Sequence, residues 1–177
     1  MKSKVWLLIV IICFVVSGIA EVRACTLYTT EQQHSIERAY IKGLPHDLGY
    51  TLASIVIQES FVGSYIVRVN SKDGEYGSYG ITHIELRTAM WLEGYESSWR
   101  AKQDLVPKLI SDDDYAMDLA ITKLLKNKSK GWLRMWSSYN GRGSKALEYG
   151  NKIKGHIAIL KECYSSEYRF LDRGSWY

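Results

Sequence analysis

Leu48-Gly49-Tyr50-Thr51-Leu52-Ala53-Ser54-Ile55-Val56-Ile57-Gln58-Glu59-Ser60 is the stretch on which the fold turns. Leu48, Leu52, Ile55, Val56 and Glu59 recur at intervals of four, three, one and three, one face of a 3.6-residue period. Ala53 and Ile57 make the remaining faces apolar too, so the spacing predicts the buried central helix of a domain. A single carboxylate, Glu59, stands on the apolar stripe near the C-terminal end of that helix. A carboxyl held against apolar surface is harder to ionise than one in water, so it can carry a proton near neutral pH and donate it. On this stretch alone, a Glu paired with an Arg or turned to solvent is an equal reading.

Upstream, Thr30 with Gln33 reads as a capping box opening a helix that Gly43 and Pro45 stop, and Asp47 reads as the cap of the central helix. Downstream the helical period breaks over residues 62 to 83. Ile66-Val67-Arg68-Val69 has strand character, and Asn70 to Gly77 is rich in turn formers, which predicts a small hairpin. Helices are expected again from Ile84 to Leu92, from Trp99 to Leu109, behind Ser111 with Asp112, Asp113 and Asp114 at its start, and from Ser129 to about Tyr139. A last helix carries Ala146, Tyr149, Ile153, Ile157, Leu160 and Tyr164 on one stripe. The fold class expected is mainly α with one small β-excursion.

The 177 residues suffice for one domain, and with two prolines and no repeat nothing marks a linker. Residues 1–24 have the three parts of a secretory signal: Lys2 and Lys4, an apolar run from Val5 to Val16, then small and polar residues. That run, about 12 residues, is shorter than the roughly 20 a membrane-spanning helix needs. Cleavage is expected after Ala24, with Ala20 as the alternative, leaving 25–177 as a single exported domain in the periplasm or cell envelope. Cys13 falls in the signal, so Cys25 and Cys163 are left as an even pair, expected to form a disulfide in an oxidising compartment. Lipidation of Cys25 is the second choice, because Arg23 spoils its signature. The signal carries +2 of the formal charge of +4, through Lys2, Lys4, Arg23 and Glu21. The remainder is too weakly basic to argue for nucleic acid. Six Trp and thirteen Tyr fit a different partner, since sugar rings stack their apolar faces on aromatic side chains.

Two further segments join Glu59-Ser60. One is Ser78-Tyr79-Gly80-Ile81-Thr82-His83-Ile84, followed by Thr88-Ala89; the other is Ser138-Tyr139-Asn140-Gly141. In order and spacing they resemble the soluble lytic transglycosylases, relatives of goose-type lysozyme. That family has Glu-Ser, then about twenty residues on Ser-x-Gly-[Leu/Ile]-Met-Gln-[Ile/Val] and Thr-Ala, then Ala-Tyr-Asn-Ala-Gly. The likeness spans residues 47 to 160. His83 stands where the family has Gln; it can still hydrogen-bond a sugar or the catalytic carboxylate.

The resemblance implies a lysozyme-like fold with a small β-hairpin beside the substrate cleft. It implies cleavage of the β-1,4 bond between N-acetylmuramic acid and N-acetylglucosamine in peptidoglycan glycan strands, leaving a 1,6-anhydro end. Glu59 would be the general acid and base, and Ser60, Ser78, Gly80, Ile81, His83, Tyr139 and Asn140 would bind substrate. No cofactor is implied, and the four His show no metal-ligand spacing. Hydrolysis is the alternative outcome, with Asp73, Glu75 or Glu85 as a candidate second acid directing a water. A non-catalytic envelope-binding protein is the rival from another class. A monomer is expected, serving wall recycling, an envelope-spanning secretion or conjugation apparatus, or a phage.

Overall fold

The computed structural model describes residues 28–69 and 77–163. Residues 1–24, Cys25, Asp73, Glu75 and Tyr164 lie outside the described residues, as does one end of the expected disulfide. The chain is mainly helical: α1 (Thr30–Gly43), α2 (Gly49–Ser60), α3 (Leu86–Glu93), α4 (Ser98–Ser111), α5 (Asp113–Leu125), α6 (Trp132–Tyr139) and α7 (Ser144–Cys163). Between α2 and α3 lie three short strands, β1 (Val67–Arg68), β2 (Ser78–Tyr79) and β3 (Ile84–Glu85), antiparallel in the order β1-β2-β3. The hairpin is therefore a three-stranded sheet, and Ile84 closes it rather than opening a helix. Leu86 donates back to the Gly77 carbonyl, which holds β3 on the sheet up to the first residue of α3.

The central helix is α2, with nine of its twelve residues buried. Leu52, Ile55 and Val56 are fully enclosed, and each such side chain contributes about 1.5–3 kcal/mol by leaving water. The helix packs against α1, α5 and α7. It ends in a Schellman-like turn in which the amides of Phe61 and Val62 reach back to the carbonyls of Ile57 and Val56.

Two caps differ from expectation. The box that opens α1 is Thr29 with Gln32, one residue earlier than Thr30 with Gln33. Both Thr-x-x-Gln pairs exist in the sequence; Gln32 is selected because its amide also reaches the Phe61 carbonyl and the Ser64 hydroxyl, tying α1 to the end of α2. Asp47 does not cap the central helix: left-handed (φ 59), it closes the short 3-10 turn Leu44–His46 through its amide to the Leu44 carbonyl, and its carboxylate meets Lys128 at 3.2 Å. The first residue of α2 has no side-chain cap.

The α6 and α7 helices run side by side, and Gly150 sets their separation. A Cβ there would stand 2.4 Å from the Ser137 hydroxyl oxygen and 3.2 Å from the Leu133 carbonyl. Past this crossing the rings of Tyr139 and Tyr149 stack, with centroids 6.2 Å apart and planes 10° from parallel.

Candidate active site

The segments singled out in the sequence meet in one cleft of about 640 Å³. Glu59 arrives at the end of α2, Ser78, His83 and Glu85 from the sheet and its turn, and Tyr139 and Asn140 from the end of α6. The register places Arg68, Ser78 and Glu85 side by side across the three strands, and all three line the wall. A smaller concavity of about 260 Å³ shares Glu59, Arg68 and Asn140 with the cleft and continues between Lys145, Tyr149 and Lys152 of α7. Glu59 thus stands where two limbs of a groove join.

Glu59 is nearly enclosed, its side chain 10 % exposed, and its Oε2 faces Nδ1 of His83 at 3.6 Å. The other ring nitrogen of His83, Nε2, bonds the Tyr65 carbonyl. A carbonyl only accepts, so Nε2 carries a hydrogen and the tautomer follows. Nδ1 is buried with no hydrogen-bond partner. It presents either a lone pair to a protonated Glu59 or an N–H to an ionised one.

Backbone strain surrounds this pair. Phe61 (φ 49) and Val62 (φ 56), directly behind Glu59-Ser60, and His83 (φ 46) are all left-handed, a conformation costing roughly 1–3 kcal/mol for such residues. Ser60 holds the first two in place: its hydroxyl donates to the Val56 carbonyl and accepts from the Gly63 amide.

Two tyrosines back the carboxylate. The Tyr139 hydroxyl donates to the Thr82 carbonyl at 2.8 Å, which fastens α6 to the β2–β3 turn. Burial, and then the negative charge of Glu59, push both Tyr139 and Tyr149 well above the ordinary tyrosine value. Both hydroxyls stay protonated near neutral pH and act as dipoles, not bases. Tyr149 has no bond of ordinary geometry to its buried hydroxyl, yet Glu59 is its electrostatic neighbour.

Lys123 of α5 was not anticipated. Its Nζ donates to the Tyr139 carbonyl at 2.7 Å, lies 4.2 Å from the centre of the Tyr139 ring, and lines the cleft. Burial holds it below the ordinary lysine value, while Glu59 and Glu85 favour its charged form. A lone lysine within the apolar run Leu119 to Leu125 was the available signal. Arg68 was legible only as an alternating strand residue.

Three expected substrate contacts lie behind the wall instead of on it. Ser60 is fully buried and serves the helix end. Ile81 is core, at 1 % exposure. Gly80 (φ 79) is needed for close approach to protein: a Cβ would stand 2.3 Å from the Leu109 carbonyl. Among the described residues, no three His, Cys, Asp or Glu cluster closely enough to hold a metal ion. Compared with known proteins, the chain matches no family model, no curated protein and no solved structure.

Proposed function

We propose that this chain is a peptidoglycan lytic transglycosylase with a lysozyme-like fold, exported to the periplasm or cell envelope and trimmed after Ala24. The observation that carries the reading is convergence: three segments far apart in sequence, chosen for their resemblance to one family, border a single groove with Glu59 at its centre. A glycan strand needs sugar-binding surface on both sides of the bond to be cut, and the two limbs that share Glu59, Arg68 and Asn140 supply it.

In this reading Glu59 protonates the glycosidic oxygen as the bond breaks, and the substrate's own N-acetyl oxygen attacks the anomeric carbon. Glu59, now ionised, takes the proton of the C6 hydroxyl. That oxygen closes on the anomeric carbon and displaces the N-acetyl oxygen, so the 1,6-anhydro end forms without water and Glu59 recovers its proton. His83 Nδ1 and the Tyr149 hydroxyl face the carboxyl through both of its states. Lys123 lends the ionised state a positive neighbour. A disulfide between Cys25 and Cys163 completes the proposal for the exported chain.

One observation favours hydrolysis as a second reading. Glu85 is an exposed carboxylate on the wall of the same cleft, and an inverting glycosidase holds its second carboxyl roughly 6.5–9.5 Å from the acid to seat a water. Incubating purified glycan strands with the wild type and Glu59→Gln, then weighing the products, tests both. Anhydro ends lost in the variant support the transglycosylase; reducing ends support the hydrolase; intact strands with the wild type assign the chain to envelope binding without catalysis.

A further inference from the structure

The far end of α2 holds a second concavity, of about 460 Å³. Gly49, Tyr50 and Thr51 reach it at the start of the helix, and Glu59 lies ten residues on, which at 1.5 Å per residue is about 15 Å away. The α6 and α7 helices connect the same two places, through Trp132 and Trp136 at this end and Tyr139 at the other, and through Lys161 here and Tyr149 there.

The walls are aromatic. Trp132 and Trp136 lie with ring centres 6.0 Å apart and planes at 40°. Tyr40 and Tyr50 meet edge to face, 4.8 Å apart. The Trp136 indole N–H donates to Thr51 Oγ1 at 3.1 Å, so the ring is fixed by its edge, and it is half-buried against the core where it lines the concavity. Trp132 leaves 47 % of its surface in water, though Met135 on the same short helix is fully buried. The rim carries Lys161 and Asp47, whose carboxylate pairs with Lys128 at 3.2 Å.

We propose that this concavity is a second carbohydrate-binding site, which holds pyranose rings of a glycan strand while the cleft works elsewhere on the polymer. A pyranose presents axial C–H groups on its faces and hydroxyl or acetamido groups at its edge. The faces suit the indole and phenol rings, and the edge suits a polar rim. Asp47 and Lys161 are the charged groups at that rim, Asp47 already paired with Lys128. A neutral polyhydroxylated ligand finds an acceptor in the first and a donor in the second. An aliphatic ligand would desolvate that rim with nothing in return. The inference rests on the glycan-cleaving reading for its polymer and adds an anchor: a protein tethered at one site meets cleavable bonds at high effective concentration.

The test separates anchor from cleft. In full-length Glu59→Gln protein, which should bind without cutting, Trp132→Ala is expected to weaken retention on insoluble peptidoglycan sacculi about tenfold, and Trp132→Phe to restore most of it. With Glu59 intact, Trp132→Ala should cleave short soluble glycan fragments at the wild-type rate and sacculi more slowly. Retention unchanged by Trp132→Ala overturns the proposal. So does a dimer, seen by sedimentation, that Trp132→Ala converts to monomer with retention unaltered, since the concavity would then belong to a second copy. If the wild type cuts no glycan yet Trp132→Ala still lowers retention, the anchor stands and the cleavage reading falls.

Discussion

Two places in this molecule bring acids and bases together, and they share little beyond charge. On the surface between α1 and α5, Arg38 meets Asp114 at 2.9 Å and Asp113 at 3.8 Å, while Lys42 meets Asp118 at 2.9 Å and Asp114 at 3.8 Å. Arg38 and Asp114 are about half exposed, so water and salt screen them and each contact contributes under about 1 kcal/mol. Five groups share the work, and losing one leaves the rest. In the cleft, Glu59 and His83 form a single pair at 3.6 Å, with 10 % and 6 % of their side chains exposed. Left-handed Phe61, Val62 and His83 add strain around them. A fold seeking stability would place its charges as the surface does; a nearly enclosed pair held at a cost on the wall of a cleft is the pattern of a working site.

That contrast can be broken or sharpened by substitution. Glu59→Gln should lower glycan cleavage by about two to four orders of magnitude, as loss of a general acid does, while thermal unfolding shows Tm unchanged or higher. A marked drop in Tm would mean that the pair is structural after all. Tyr139→Phe comes next: it removes the donor to the buried Thr82 carbonyl and should destabilise the fold by about 1–3 kcal/mol in urea titrations. His83→Gln keeps an amide able to face both Glu59 and the Tyr65 carbonyl. Activity should stay within about tenfold of wild type in the same product assay; a loss as large as that of Glu59→Gln would show that the imidazole takes part in the proton transfer itself. Asp114→Asn should do least, under about 1 kcal/mol, and less still in high salt. Hydrogen bonding from Arg38 holds the Asp114 carboxyl below its ordinary value. The stability it contributes is therefore present above the unfolded carboxylate value and lost as pH falls through the lowered folded one. Stability followed down through acid pH should be flatter in that range for the variant.

Much of this arrangement was legible beforehand because it follows from short-range pattern. The apolar stripe through Leu52, Ile55 and Val56 announced the central helix and set Glu59 at its end, and the stripe through Ala146, Tyr149 and Ile153 announced α7. What escaped depends on tertiary packing. Thr29 and Thr30 offer equal caps until Gln32 finds Phe61 and Ser64. Ile84 reads as a helix start until the sheet claims it. Lys123 and Arg68 enter the cleft only once α5 and β1 are assembled around it. The same logic moved Ser60, Gly80 and Ile81 off the wall: their identities matter because the wall must be held from behind.

Gly150 gives that dependence a mechanical form. It is the point of contact about which α6 and α7 would pivot if a side chain forced them apart. The pair carries Tyr139, Asn140 and Tyr149 on one side of that point and Trp132, Trp136 and Lys161 on the other. A wedge of one methyl group there would act as a lever with a load on each arm, and two cavities with no residue in common would change shape together.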